Sequence, residues 1–276
     1  MAQPQKIQIS IEEKEQHLRS LMRELEKVLV AFSGGVDSSY LALIANQELK
    51  ENALCVMGIS PSVAEKEREM AKEIAEKFRL NFQIVETEEL SNPNYQANPT
   101  NRCYFCKTEL YGKLKTIAEN RTILDGSNTD DLGDYRPGRE AAKENGVRSL
   151  LIEVGLSKAE IRELSKKHRL PTWDKPASPC LSSRIAYGIS VSIERLTKVE
   201  RGEKFLRELG FREFRVRLHD EIVRLEISPN EMEKVLNKNL IDSIAEKFRK
   251  IGFRYVTLDL QGFRSGAMNE MIDKKS

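Results

Sequence analysis

Apolar residues along this chain come in two rhythms. Short unbroken runs at 27–32 and 53–59 predict strands buried on both faces, the pattern of a parallel sheet. Residues 82–85 and 122–124 add two shorter strands. Between them the spacing is helical. Val63, Met70, Ala71, Ile74, Ala75 and Phe78 predict an amphipathic helix over 63–79, and Leu110, Leu114 and Ile117 mark another. Helical character also covers 11–26, 40–49, 137–145 and 157–169. Strand and helix alternate, so the expected fold class is α/β with a doubly wound parallel sheet, whose ligands sit at the carboxyl ends of the strands.

Residues 171–188 are rich in Pro, Ser and Gly and predict an irregular stretch, either linker or site loop. Beyond residue 190 the rhythm changes. A helix over 192–209 precedes two alternating strands, 214–218 and 222–227, joined as a hairpin by His219-Asp220-Glu221. A helix over 230–250 and a strand at 255–260 complete a small α+β unit. The expected domains are 1–188 and 189–276.

Charge narrows the function classes. Lys and Arg number 45 against 43 Asp and Glu, a net charge of +2, which argues against a dedicated nucleic-acid binder. Apolar residues make up 39% of the 276, enough for a sizeable core. No apolar run approaches the roughly 20 residues that span a bilayer. The polar N-terminal stretch lacks the apolar core of a signal peptide. The expectation is a cytoplasmic protein, in which four cysteines are not a disulfide framework.

The chemistry starts at Ser33-Gly34-Gly35-Val36-Asp37-Ser38, between a predicted strand and a predicted helix. Two glycines let the backbone approach an anion closely, and the helix start aims N–H groups and the positive dipole end at it. Ser33, Ser38 and Ser39 add hydroxyl donors. Asp37 would repel phosphate unless a cation lay between, which assigns it to Mg²⁺. The Gly-Lys-Ser/Thr of a Walker A loop is absent. The motif resembles the PP-loop of ATP pyrophosphatases, which release pyrophosphate and leave AMP on the substrate.

Cys103 and Cys106 form a CxxC pair, and Cys180 lies in the irregular stretch. Three thiolates suit a [4Fe–4S] cluster with one iron open. Zinc usually takes four protein ligands, and a fourth is not obvious here. A redox dithiol would sit at a helix start in a thioredoxin-like unit, which the pattern does not suggest. All three readings stay open. Cys55 falls inside an apolar strand and reads as a buried small hydrophobe.

Taken together, SGGVDS, the run 134–139, the loop 177–188, the strand 214–219 and the tail 252–266 resemble the LarE family, sulfur transferases of nickel-pincer cofactor biosynthesis. The resemblance covers nearly the whole chain. It implies an oligomeric ATP-dependent enzyme that adenylates a carboxylate of pyridinium-3,5-biscarboxylic acid mononucleotide and replaces AMP with sulfur. Adenylation gives a poor electrophile a good leaving group. By the same resemblance Ser183 and Arg184 bind phosphate or pyrophosphate, Arg215 and Arg217 bind the substrate phosphate, and Glu203 lies near the sulfur site. Asp125 and Asp134 serve Mg²⁺ or ribose, or simply cap turns. Some members sacrifice the sulfur of a cysteine five residues before the loop arginine. Here that place is Pro179, and Cys180 lies four before Arg184. With Cys103 and Cys106 this matches the cluster-bearing branch, in which sulfide or a sulfide-donating protein supplies the sulfur. The rival functions are a tRNA thiolase, an amide-forming synthetase and a non-catalytic nucleotide or cluster carrier.

Overall fold

The computed structural model describes residues 9–133 and 135–264. Asp134, Ser265 and Gly266 therefore lie outside the described residues. In chain order the helices are α1 (Ile11–Leu25), α2 (Val36–Leu49), α3 (Glu65–Lys77), α4 (Pro93–Gln96), α5 (Arg102–Ala118), α6 (Pro137–Glu144), α7 (Leu150–Glu153), α8 (Lys158–Lys167), α9 (Ile193–Glu208), α10 (Met232–Val235) and α11 (Lys238–Ile251). The strands are β1 (Val28–Ala31), β2 (Ala53–Ile59), β3 (Asn81–Glu86), β4 (Thr122–Leu124), β5 (Phe214–His219), β6 (Ile222–Ile227) and β7 (Tyr255–Leu258).

The chain divides into two compact units. The first holds the residues up to Ser60, Glu65–Glu88 and Cys103–Ser178; the second holds Pro61–Ala64, Glu89–Arg102 and the chain from Pro179 onward. This differs from the simple cut expected at 188/189. The irregular stretch changes unit at 178/179, and two earlier segments belong with the C-terminal part.

In the first unit four parallel strands run in the order β3-β2-β1-β4. Val28, Leu29 and Val30 are buried, as an unbroken apolar run in a covered sheet must be. Leu29, Leu54, Val56, Tyr111, Leu114 and Ile123 belong to one buried cluster beneath α5. β1 pairs with β2 on one side and with β4, the last strand in sequence, on the other. The direction of winding reverses there, and that is where α/β sheets bind ligands. α1 and α8 each begin with a capping box, Ser10–Glu13 and Ser157–Glu160. α2 begins at Gly35 with no side-chain cap.

In the second unit β5 and β6 form the expected hairpin, and β7 adds parallel to β6. Phe214, Val216, Leu218, Val223, Leu225 and Ile227 are buried, and α9 and α11 pack with the sheet. The single helix expected over 230–250 is two. Asn237 caps α11 by accepting from Leu240 N–H at 3.2 Å, which ends α10 and restarts the chain. Among the described residues no helix is long and apolar enough to cross a membrane.

Candidate active site

The loop after β1 is built on one left-handed glycine. Gly34 has φ +67°, and a Cβ there would stand 3.0 Å from that of Ala71 on α3. Ser38 Oγ accepts from Ser33 N–H at 3.2 Å and lies 3.0 Å from Ser33 Oγ, closing the loop on the first turn of α2. With no side-chain cap at Gly35, the N–H groups of that turn are available to an anion. The turn after β4 meets the same place. A Cβ on Gly126 would lie 3.0 Å from Ser38 N, so a larger residue at 126 would push into the helix start.

Asp37 stands in this first turn. Lys158, the first residue of α8, donates from Nζ to Asp37 Oδ2 at 2.5 Å. Asp37 Oδ1 is buried with no hydrogen-bond partner among the described residues. A buried carboxylate oxygen without a donor costs free energy unless a cation meets it. The arrangement therefore fits Mg²⁺, which takes one or two carboxylates plus phosphate oxygens. Lys175 donates from Nζ to Gly34 O at 3.0 Å and to Glu67 Oε2 at 2.6 Å. Neither lysine was singled out from sequence, because each lies more than 100 residues from its partner and in no motif. Asp125 accepts from Ser127 N–H (3.1 Å), Ser127 Oγ (2.9 Å), Ser149 Oγ (2.7 Å) and Tyr111 Oη (3.4 Å), so its oxygens close the turn. Trp173 is exposed, with Lys166 Nζ 4.7 Å from its ring centre.

The second unit carries a basic sheet face. Arg215, Arg217 and His219 alternate along β5, opposite Glu226, Arg224 and Ile222 of β6. Arg217 Nε donates to the fully buried Glu226 at 3.0 Å, and Arg224 Nη2 donates to its other oxygen at 3.0 Å. Burial, then Arg184 beside it, pushes the half-buried Arg215 guanidinium down to about 10. Burial lowers Arg217 as well, and burial with Arg224 and Arg217 holds His219 below the usual imidazole value. Burial is the largest cause of all three shifts, and the neighbouring guanidiniums add to it.

Ser183 and Arg184 belong to this second unit. Segment 183–186 runs beside β5, with Ala186 N–H donating to Leu218 O at 3.0 Å. Buried Arg184 donates from Nε to Glu203 Oε1 at 2.8 Å, and from Nη1 to Pro179 O at 2.6 Å and Cys180 O at 3.3 Å. Arg217 Nη1 donates to Ser183 O at 2.9 Å. Glu203, singled out in sequence only by resemblance, is buried and orients Arg184. Asn98 also went unread. Its Nδ2 donates to the carbonyls of Ile185 (3.2 Å), Ala186 (2.9 Å) and Ile189 (2.9 Å), and its Oδ1 accepts from Arg102.

The thiols divide between the units. Cys103 and Cys106 occupy the start of α5, Cys103 exposed and Cys106 half-buried; Cys180 is half-buried in the second unit. The CxxC pair sits at a helix start, one of the two features a redox dithiol would have, though the surrounding unit is not thioredoxin-like. At i and i+3 the two share a side of the helix and suit two ligands of one cluster. Among the described residues no group of three or more His, Cys, Asp and Glu is gathered to hold a metal. Burial pushes the Cys55 thiol up to about 12, consistent with a packing role.

The sequence profile of the NAD synthase family matches residues 10–116, the span that contains the phosphate loop. The pyridinium-3,5-bisthiocarboxylic acid mononucleotide synthase of Lactiplantibacillus plantarum is 37% identical over 261 residues, covering 93% of this chain and 94% of that protein. The chain belongs to the LarE family. As a LarE protein it is an enzyme of the PP-loop class, an ATP-dependent sulfurtransferase. Two further relatives, both named as uncharacterized proteins, match along most of their length. That of Synechocystis sp. is 43% identical over 267 residues, 96% of this chain and all of its own. That of Methanocaldococcus jannaschii is 30% identical over 243 residues, 87% of this chain and 92% of its own.

Proposed function

We propose that this LarE protein adenylates a carboxylate of pyridinium-3,5-biscarboxylic acid mononucleotide and converts it to a thiocarboxylate. The carboxylate oxygen attacks the α-phosphorus of ATP and pyrophosphate leaves. A sulfur nucleophile then attacks the acyl carbon, the C–S bond forms, and AMP departs with the former carboxylate oxygen. Ser33, Gly34, Gly35 and Ser38 bind the leaving phosphates. Asp37 holds Mg²⁺ against them, with Lys158 as a second positive charge beside it.

One observation carries the substrate reading. Arg184 and Arg217 bind the backbone carbonyls of Cys180 and Ser183, which ties a cysteine-bearing loop to the arginine face of the same unit. Guanidiniums suit a phosphate monoester, so Arg215 and Arg217 are assigned to the mononucleotide phosphate. Arg217 then serves both, gripping the substrate phosphate with Arg215 and holding the cysteine-bearing loop with Arg184.

For the sulfur, Cys103, Cys106 and Cys180 are the proposed ligands of a [4Fe–4S] cluster. When bound, that group supplies an iron with an open position for exogenous sulfide. The exposure of Cys103 and the shared helix side of the CxxC pair support this. The test is to give the full chain Mg-ATP, the mononucleotide and sulfide under anaerobic conditions. Pyrophosphate, AMP and the mass of the product are followed, with iron and sulfide counts on the protein. Equal pyrophosphate and AMP with sulfur in the product is expected. Iron-free protein that still transfers sulfur once and loses about 34 Da at Cys180, a cysteine turned to dehydroalanine, would replace the cluster with a sacrificial thiol.

A further inference from the structure

The segment leading to Cys180 is tied to the phosphate loop through a residue the reaction does not itself use. Lys175 donates to the Gly34 carbonyl at 3.0 Å and to Glu67 Oε2 at 2.6 Å. The other oxygen of Glu67, Oε1, accepts from Ser178 Oγ at 2.8 Å. Arg162 of α8 holds the same segment by its backbone, donating to the carbonyls of Trp173 and Lys175 at 2.7 Å each. α8 is also the helix whose Lys158 reaches Asp37.

The energetics favour a working tie over an incidental surface pair. The side chains of Lys175 and Glu67 are 11% and 19% exposed, so their attraction is little screened. Ser178 is exposed, and Glu67 is what fixes its side chain. From Ser178 to Cys180 the chain is two residues long, about 7 Å at full stretch. Negative charge arriving on the phosphate loop acts on Lys175, which touches that loop, as well as on Lys158 beside Asp37. Lys175 and Ser178 share the carboxylate of Glu67, so a shift of the lysine is felt at the serine.

We propose that Glu67 is a positioning residue for the sulfur-transfer half-reaction, linking occupancy of the phosphate loop, through Lys175, to the segment that carries Cys180. The inference rests on the adenylation reading given above. An acyl-adenylate has two fates. Sulfur attacks and gives thiocarboxylate plus AMP, or water attacks and returns the carboxylate plus AMP. Glu67 biases the choice by setting the approach of the cysteine-bearing segment while nucleotide is bound.

Two measurements on the full chain test this with Glu67→Gln, which keeps the shape of the side chain and removes its charge. The first is hydrogen exchange over residues 171–184 with and without Mg²⁺ and α,β-methylene-ATP. The analogue should slow exchange in the unaltered protein and not in the variant, while its Kd changes by no more than about threefold. The second is the yield of thiocarboxylate per pyrophosphate with mononucleotide and sulfide. It should fall about tenfold in the variant while the initial rate of pyrophosphate release stays within about threefold. Restoring the carboxylate one methylene shorter, as Glu67→Asp, should recover part of the yield. Equal slowing of exchange in both proteins or in neither, or pyrophosphate and thiocarboxylate falling in step, would overturn the proposal. A wrong substrate reading shows separately, as no pyrophosphate from the unaltered chain with the mononucleotide, and the exchange measurement then still decides the tie.

Discussion

In the first unit the positive end is made of main chain: the N–H groups of an uncapped helix start, held open by a left-handed glycine. In the second it is made of side chains, with Arg215, Arg217 and Arg224 standing on one face of a twisted sheet around buried Glu226. A backbone site keeps its N–H donors through every substitution except one to proline, so most mutations change only its shape. A side-chain site keeps its shape and loses donors one at a time. The first suits a group that every substrate turn shares, the polyphosphate; the second suits the group that distinguishes one substrate.

The sharpest break in this contrast is Asp37→Ala. It removes the carboxylate proposed to hold Mg²⁺ against the phosphates, so pyrophosphate release should fall by about 100-fold or more with circular dichroism unchanged. A folded variant that keeps the rate would move the metal elsewhere. Next come Arg215→Ala and Arg217→Ala. Each should raise KM for the mononucleotide by about tenfold to 100-fold and leave KM for ATP alone. Arg217→Ala should also lower the melting temperature, because buried Glu226 then keeps Arg224 alone. If KM for ATP rises instead, the two sites are not distinct.

A shape change should act on the first unit only. Gly34→Ala forces a Cβ into φ +67° and against Ala71, at a cost of about 1–3 kcal/mol, with weaker ATP binding and an unaltered KM for the mononucleotide. The smallest expected effect concerns acid. Burial alone would raise the Glu15 carboxyl, but hydrogen bonds from His168 and Arg19 outweigh it and hold the group low. A depressed acid stabilises the fold above its unfolded value, and the contribution disappears as pH falls through the folded value. Glu15→Gln should therefore cost about 1 kcal/mol at neutral pH, and in denaturant titrations the gap should close as pH falls through the depressed folded value, below the ordinary carboxylate range.

Local signals were legible, and relations between distant residues were not. The apolar runs marked β1 and β2 because a covered strand has no polar face to show. The loop at 33–38 was legible because its donors are consecutive. Lys158, Lys175 and Glu67 left no trace, since an ion pair across 100 residues has no period and no spacing. Asn98 carried no signal, because the three carbonyls it binds come from a loop 87 to 91 residues away; Glu203 was reached by resemblance alone, since nothing in its helix marks a partner in Arg184. The break between α10 and α11 depended on one capping Asn237 inside an apolar rhythm that runs straight through it.

The interleaving of the two units bears on how the chain can be made. Reading from the N-terminus, it leaves the first unit at Pro61 and again at Glu89, then finally at Pro179. Tyr95 and Ser62, synthesised early, meet their shared partner Ser182 only when the chain beyond residue 178 emerges, at 2.6 Å and 3.0 Å from its hydroxyl. During translation the first unit must therefore close around two segments that can meet each other, Ser62 and Tyr95 lying 2.8 Å apart, but not yet the serine they share. A cut at residue 178 would not yield a self-sufficient nucleotide-binding fragment. It would yield one with two unanchored insertions, so the smallest piece worth expressing is the whole chain.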